Sequence, residues 1–222
     1  MAKGILIAGF DFSGCAEDEF NDWYDLEHVP ERERVPGFLL CRRWIDHTNP
    51  KVALATYDLE SHDVLRSAPY KAIAYENLSV WSKRVTAMAK RIMRFEGVQT
   101  LPGDAVSPKD AGALLINAMN CDPANETEYN KWYDEEHIPM LAAVSGCRLA
   151  RRFRGVDGGS HKYVALYHLD SPAVTEKPEW KAAVDTPWAA KVRPMFKDRI
   201  RLLCKPYVRA AAPGKTGGAR AA

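Results

Sequence analysis

A cluster of aromatic, acidic and imidazole side chains occurs twice in the chain, as WYDLEH at residues 23–28 and as WYDEEH at residues 132–137. If each copy is helical, residues three and four positions apart share a face, so a tyrosine and an aspartate lie one turn before the histidine. A carboxylate bound to one imidazole nitrogen leaves the other nitrogen free to exchange protons near neutral pH. The pattern therefore predicts acid–base chemistry.

Each side-chain type in the cluster suggests one role. The histidines would act as general acid or base, the aspartates would orient them, and the tyrosines would donate a hydrogen bond to a developing oxyanion. The catalytic candidates are His28, His137, Asp25, Asp134, Tyr24 and Tyr133.

The same cluster could instead be architectural. A histidine near the end of a helix interacts favourably with the negative end of the helix dipole, and Asp25 or Glu27 could pair with Arg32 or Arg43. A folding motif must work in both copies, whereas one active site is enough for an enzyme, so the repetition fits this interpretation equally well. For the two tryptophans, core packing is the favoured role.

Two arginines on neighbouring strands could complete the site. Side chains alternate along a strand, so Arg42 shares a face with Leu40 and Trp44, and Arg151 has the same setting in the second copy. Such an arginine could bind a carboxylate or enolate oxygen, or lie at the rim with its guanidinium in water. The substrate-binding candidates are Arg42, Arg151, Trp132, Met140 and Trp188.

The repetition extends far beyond the cluster. An offset of 109 residues aligns apolar segments, a proline, a glycine and paired arginines, and an offset of 110 continues the alignment to Arg91 and Arg201. Each copy reads as βαββαβ, with a first helix that ends by Pro30 or Pro139. We therefore predict an α+β protein with two tandem ferredoxin-like units, at residues 1–100 and 110–208, followed by a disordered tail at 209–222.

A single unit of this kind has helices on one face of its sheet and leaves the other face bare. Two units can bury these bare faces against each other, which explains why the chain carries two. The expected architecture is an intramolecular barrel with the two units packed sheet to sheet.

The repeated residues resemble the EthD-like branch of the dimeric α+β barrel superfamily. The resemblance rests on Glu19, Asn21 and the WYD-x-EH-x-P segment, which recur from Glu128 and precede a glycine and a strand with paired arginines. It implies a fused pseudo-dimer with a ligand cavity. The superfamily includes cofactor-free monooxygenases, lactone isomerases, polyketide cyclases and haem-degrading enzymes, so the fold alone does not specify a reaction.

Composition excludes several classes of function. Lys and Arg number 31 against 29 Asp and Glu, which argues against a nucleic-acid surface, and no apolar run is long enough for a membrane span. The five cysteines are scattered without a CxxC pair, so neither a zinc ribbon nor a disulfide framework is expected. Asp25 and His28 lack a third ligand, so no metal is predicted. The expected location is the cytoplasm.

These observations favour a cofactor-independent small-molecule enzyme of the isomerase, cyclase, lyase or monooxygenase type. Its substrate would be an aromatic, polyketide-like or lactone compound in an apolar barrel cavity. The alternative is a non-catalytic ligand-binding or accessory protein in which the repeated cluster is structural. Neither nucleic acid nor membrane is an expected partner, and a homodimer of the fused barrel is left open.

The two halves are expected to differ. After the shared proline the first copy reads ERER and the second reads MLAA, and the 110-residue offset sets Trp188 opposite Leu78. Because apolar residues enclose a hydrophobic substrate better than charged ones, we expect the half with His137 to hold the more enclosed pocket.

Overall fold

Eight antiparallel strands close into a barrel in the computed structural model, which describes residues 2–156 and 159–209. Around the barrel the strand order is β1-β3-β2-β8-β5-β7-β6-β4. The strands are β1 (Gly4–Asp11), β2 (Phe38–Asp46), β3 (Val52–Leu59), β4 (Lys90–Leu101), β5 (Ala113–Asn120), β6 (Cys147–Gly155), β7 (Tyr163–Leu169) and β8 (Lys197–Pro206). Most of the predicted disordered tail, residues 210–222, lies outside the described residues.

The helices cover the outer face of the barrel. The first half contributes α1 (Glu17–Trp23), α2 (Val29–Glu33), α3 (Ala68–Lys71) and α4 (Val80–Met88). The second contributes α5 (Glu126–Trp132), α6 (Ile138–Ala142), α7 (Pro178–Val184) and α8 (Pro187–Val192). Within the described residues, none of these helices is long and apolar enough to cross a membrane.

Alternation along each strand separates two kinds of core. Ile5 and Ile7 of β1 point into the barrel, where they share a cluster with Leu114 of β5, whereas Leu6 packs under the helices of its own half. The barrel interior is thus built from both halves, because each sheet has one face without helices. The predicted α+β class, with two βαββαβ units packed sheet to sheet, is confirmed.

The barrel interior is filled, and two of its arginines bind the linker between the halves. Arg151 is fully buried, and it forms an ion pair with Asp58 at 2.7 Å and donates to the Oγ of Ser107 at 2.5 Å. Arg42 stacks on Trp44 and donates to the carbonyl oxygens of residues 108 and 111. The prediction that Arg42 and Arg151 bind substrate is therefore wrong, because the terminal guanidinium nitrogens of both residues bind the protein itself.

The helix of the repeated cluster continues past the proline, contrary to the prediction. A π-helical turn at Tyr24–His28 joins α1 to α2, and a second one at Tyr133–His137 joins α5 to α6. In the first, the N–H of Val29 donates to the carbonyl of Tyr24, five residues back. The wide turn makes room for a proline ring, which has no N–H to donate.

Strand register corrects the sequence alignment of the two halves. Ala8 pairs with Arg94, and the equivalent Asn117 pairs with Arg201. Arg94, not Arg91, is therefore the counterpart of Arg201. The offset between the halves falls to 107 here. The reason is that the start of α4 follows the start of α3 by three more residues than the start of α8 follows the start of α7.

Candidate active site

The aspartates of the repeated cluster bind arginines and do not orient the imidazoles. Asp25 accepts from Arg43 at 2.6 Å, and Asp134 accepts from Arg152 at the same distance. These arginines follow Arg42 and Arg151 in the sequence, so they point to the opposite, helix-covered face of their strands. The predicted Asp–His dyad is wrong, because the carboxylates are taken by a nearer and permanently charged partner. The pairing of Asp25 with Arg43, expected in the structural interpretation, is confirmed.

The tyrosines of the cluster are buried against the same arginines. The guanidinium of Arg43 lies 4.5 Å from the ring centre of Tyr24, and that of Arg152 lies 4.6 Å from the ring centre of Tyr133. Burial raises the pKa of both phenols to about 12, so they are neutral near pH 7. The hydroxyl of Tyr133 is 3.7 Å from the sulfur of Met119, and both residues line a cavity.

The last glutamate of each cluster binds the helix that follows the strands. Glu27 accepts from the hydroxyl of Ser79 at 2.5 Å, and Glu136 accepts from that of Thr186 at 2.6 Å. These two hydroxyls cap the N-termini of α4 and α8. Glu136 also accepts from the indole nitrogen of Trp132. This carboxylate therefore positions a helix in both halves.

Trp188 and Met140 lie away from the site predicted for them. Trp188 donates from its indole nitrogen to Glu128 at 3.0 Å, just as Trp81 donates to Glu19 at 2.9 Å. Trp188 is thus the counterpart of Trp81 and not an added aromatic residue. Met140 is 39% exposed, and neither side chain is among the described residues that line the cavities beside His137 and His28.

The imidazoles are different from the other polar groups of the cluster. Within the described chain, the Nδ1 atoms of His28 and His137 are the only buried polar side-chain atoms of the two clusters that lack a hydrogen-bond partner. The ring of His137 stacks on Trp132 with centroids 4.2 Å apart, and the ring of His28 lies tilted against Trp23 with centroids 4.4 Å apart. The π turn brings these pairs together across five positions, a spacing that an α-helix would not produce.

Both imidazoles are neutral at physiological pH. Burial, followed by the positive charges of Arg193, Arg199 and Arg152, lowers the pKa of His137 to about 3. Burial and nearby arginines also lower the pKa of His28 well below its usual value. In the free protein these rings can accept a proton but have none to donate as general acids near pH 7.

A cavity of about 290 Å³ lies beside His137, between the outer face of the barrel and the helices of the second half. Apolar and polar side chains line it in similar proportion, and four of the polar ones are cationic. The apolar lining includes Leu115, Met119, Trp132, Leu141, Trp180 and Phe196, and the polar lining includes Asn117, His137, Thr175, Lys181, Arg193, Arg199 and Arg201.

The first half retains a similar cavity of about 220 Å³, which is lined by His28, Arg32, Arg91 and Arg94 among others. The expectation of a cavity inside the barrel is wrong for these two sites, because the interior is packed and both cavities lie outside it. The expectation that the half with His137 holds the more enclosed pocket is wrong, because the cavity beside His28 is at least as enclosed. The halves differ more in charge, since Arg32 lines the first cavity where Leu141 lines the second.

Metal ligands do not gather in this part of the molecule. Among residues 2–156 and 159–209, no group of three or more His, Cys, Asp or Glu side chains is placed to bind a metal ion.

Comparison with solved structures identifies the architecture. An anthrone oxidase-like protein superposes with a TM-score of 0.64 at 13% identity, with 93% of this chain and 92% of that chain covered. The chain folds as a dimeric α+β barrel. A candidate monooxygenase from Lactobacillus acidophilus gives a TM-score of 0.58 at 12% identity, over 93% of this chain and 94% of that one. A chlorite dismutase from Candidatus Nitrospira defluvii gives a TM-score of 0.59 at 10% identity, with 93% of this chain and 91% of that chain covered.

These similarities concern the fold, because the identities are low. The sequence matches no family model, and a search of curated proteins finds no relative.

Several site residues were missed at the sequence level. Arg199 and Arg201 alternate with Ile200 and Leu202 along β8, which marks a strand with one cationic and one apolar face. Asn117 is the one polar residue before Asn120 in the apolar strand β5. Both signals are visible in the sequence, but neither shows that the two strands are neighbours.

Proposed function

We propose that the chain is a small-molecule enzyme of the EthD-like branch, and that its working site is the cavity beside His137. There the neutral imidazole accepts a proton from an apolar, ring-bearing substrate. The observation that carries this proposal is the ring of His137, which lines the cavity in a cluster whose carboxylates and indole nitrogens are all engaged and whose own Nδ1 has no hydrogen-bond partner. A buried polar atom without a partner costs about 1–3 kcal/mol, and both halves retain one.

The surroundings of His137 suit proton abstraction. Stacking on Trp132 fixes the plane of the ring, and only 7% of the residue is exposed to solvent. A dry, prepositioned imidazole takes a proton from a C–H bond beside a carbonyl group without competition from water. Because its pKa is only about 3 in the free protein, it becomes an effective base when the negative charge of the developing enolate raises that pKa. Removal of that proton is the common first step of isomerisation, cyclisation, elimination and cofactor-free oxygenation.

One observation favours a second candidate, a non-catalytic binding protein. Asp134 pairs with Arg152, so no carboxylate orients the imidazole in the manner of an acid–base dyad. In this function the cavity binds the same class of compound without turnover.

Anthrone is a suitable test compound, since it carries an acidic C–H bond opposite its carbonyl group. Base removes the C10 proton to give an enolate, and reaction of anthrone with one O₂ yields anthraquinone and one water. Anaerobic exchange at C10 in D₂O, followed by NMR, measures the proton-transfer step alone. The purified chain should accelerate this exchange over buffer.

The variants His137→Gln and His28→Gln then locate the site. We expect His137→Gln to lower the acceleration by about 100-fold or more, as for loss of a general base, and His28→Gln to change it by less than about 3-fold. Binding of anthrone without any acceleration would reject the enzyme proposal in favour of the binding protein. Equal losses in the two variants would contradict the assignment to the second half.

A further inference from the structure

Two arginines of the second cavity lack an acidic partner. Arg199 and Arg201 lie two residues apart on the outer face of β8, and both line the cavity. In the described residues, neither forms a salt bridge, and the hydrogen bond of Arg199 is to the neutral amide oxygen of Asn117 at 3.2 Å. Partial burial, together with the charge of Arg199, lowers the pKa of Arg201, and the carboxylate of Glu176, which forms its salt bridge with Lys181, opposes this effect without reversing it.

The first half neutralises the equivalent position. Arg94, the counterpart of Arg201, forms a salt bridge with Glu96 and donates to the hydroxyl of Tyr70 at 3.3 Å. Glu96 pairs with Leu6 across the sheet, and the residue in the equivalent position of the second half is Leu203. The second half therefore carries the cation without its carboxylate.

The other cations around the cavity are already paired. Arg193 binds Asp185 at 3.1 Å and Lys181 binds Glu176 at 3.3 Å. Within the described residues, no aspartate or glutamate lines the cavity. Among the described residues that line the cavity, Arg199 and Arg201 are thus the cations without a salt bridge.

We propose that the second cavity binds a planar aromatic carboxylate or phenolate, with the charged oxygen bound by Arg199 and Arg201. The ring would lie among Trp132, Trp180 and Phe196, which supply flat apolar surface. Guanidinium groups match the geometry of such oxygens and are weakly hydrated, so they suit a partly buried anion site. This inference rests on the proposed function and names its substrate class.

An anionic ligand would also change the proton affinity of His137. Its negative charge offsets the surrounding cations, so the bound complex should take up a proton that the free protein does not carry. On the same turn, Glu136 accepts a hydrogen bond from Trp132 and Asp134 accepts one from Arg152, so neither carboxylate contacts the imidazole. The charged or titratable groups that face the ring are Arg152 from β6, Tyr167 from β7, Arg199 and Arg201 from β8, Arg193 from the turn before β8, Lys181 from α7, and Tyr133.

Calorimetry with a matched pair of probes tests this inference. The probes are 2-naphthoate and the neutral 2-naphthalenemethanol, titrated into the full chain at pH 7. We expect Arg201→Gln and Arg199→Gln to weaken naphthoate binding by about 10- to 100-fold and to leave the alcohol unchanged. Arg91→Gln, which removes the same charge from the first cavity, should alter neither affinity.

Proton uptake gives an independent readout. At pH 5, naphthoate binding measured in buffers of different ionisation enthalpy should take up protons in the wild-type chain and not in His137→Gln. The anion site would be overturned if both β8 variants bound naphthoate with unchanged affinity. If His137→Gln still abolished C10 exchange of anthrone, the proposed function would remain intact. Weakening by Arg91→Gln equal to that by Arg201→Gln would also overturn the anion site, because it would indicate general charge attraction.

Discussion

Three histidines are buried without charge, and this makes the fold sensitive to acid. Burial lowers the pKa of His137 to about 3, and it lowers the pKa of His28 and His168 well below the usual value. The unfolded chain binds protons at these sites near pH 6.5, whereas the folded chain does not. Stability is therefore greatest above about pH 7 and falls as the pH decreases towards the folded-state values.

The variant His137→Gln should remove one of the protons that the chain takes up on unfolding, and with it part of the pH dependence of stability. Between pH 6 and pH 5 we expect the decline in unfolding free energy to be shallower by about 1 kcal/mol per pH unit, and at most 1.4. Urea unfolding at several pH values measures it, with the exposed His47→Gln as the control. A slope identical to that of the wild type would show that the imidazole is protonated in the folded state.

At this scale the sequence located the histidines but not their surroundings. The spacing of Asp25 and His28 suggested a dyad, and the structure shows the carboxylate on Arg43 instead. Arg43 was one of the partners that the structural interpretation offered, but residue type alone could not choose between this arginine and the imidazole. Residue type could therefore predict which groups titrate, whereas the partners depended on long-range packing.

The helix termini explain why much of the cluster is repeated. Glu27 and Glu136 each accept from the capping hydroxyl of the helix packed beside them. Such a contact must exist in both halves for both to fold, so its repetition carries no information about catalysis. The glutamates of the cluster thus have a structural role, whereas the histidines make no such contact.

The variants Glu27→Ala and Glu136→Ala should destabilise the chain by similar amounts. Each removes a charge-assisted hydrogen bond to a capping hydroxyl, worth about 1.5–3 kcal/mol. Chemical denaturation of the two variants measures the loss, with Glu135→Ala as an exposed control from the same turn. A loss below about 0.5 kcal/mol in both variants would contradict the helix-positioning role.

Element boundaries were largely predictable, and the insertions were not. Val52–Leu59 and Tyr163–Leu169 are the third strands of the predicted βαββαβ order, because apolar runs bounded by turn residues mark buried strands. The π turns were not foreseen, since a proline usually marks the end of a helix. The three-residue change of offset before β4 and β8 was missed because loop insertions leave no periodic signal.

An ion pair across the barrel interior connects the two halves. Asp58 belongs to β3 of the first half and Arg151 to β6 of the second, and each side chain is at most 3% exposed. A buried charge that loses its partner is costly, whereas removal of both charges is often tolerated.

The variant Asp58→Asn should therefore lower the unfolding free energy by about 3–5 kcal/mol, because Arg151 would remain charged in the core. The double variant Asp58→Leu/Arg151→Met should recover most of this loss. Thermal and urea unfolding of both variants measure it. A double variant that is less stable than the single one would show that contacts of Arg151 to the linker, and not its charge pairing, dominate.

The location of the ligand is the claim on which the functional account depends. A crystal structure of the full chain with 2-naphthoate tests it most directly. The account predicts electron density for the ring between Trp180 and Trp132 in the second half, with the carboxylate at Arg201 and the imidazole of His137 in contact. Density for the ligand inside the barrel, or only in the cavity beside His28, would contradict it.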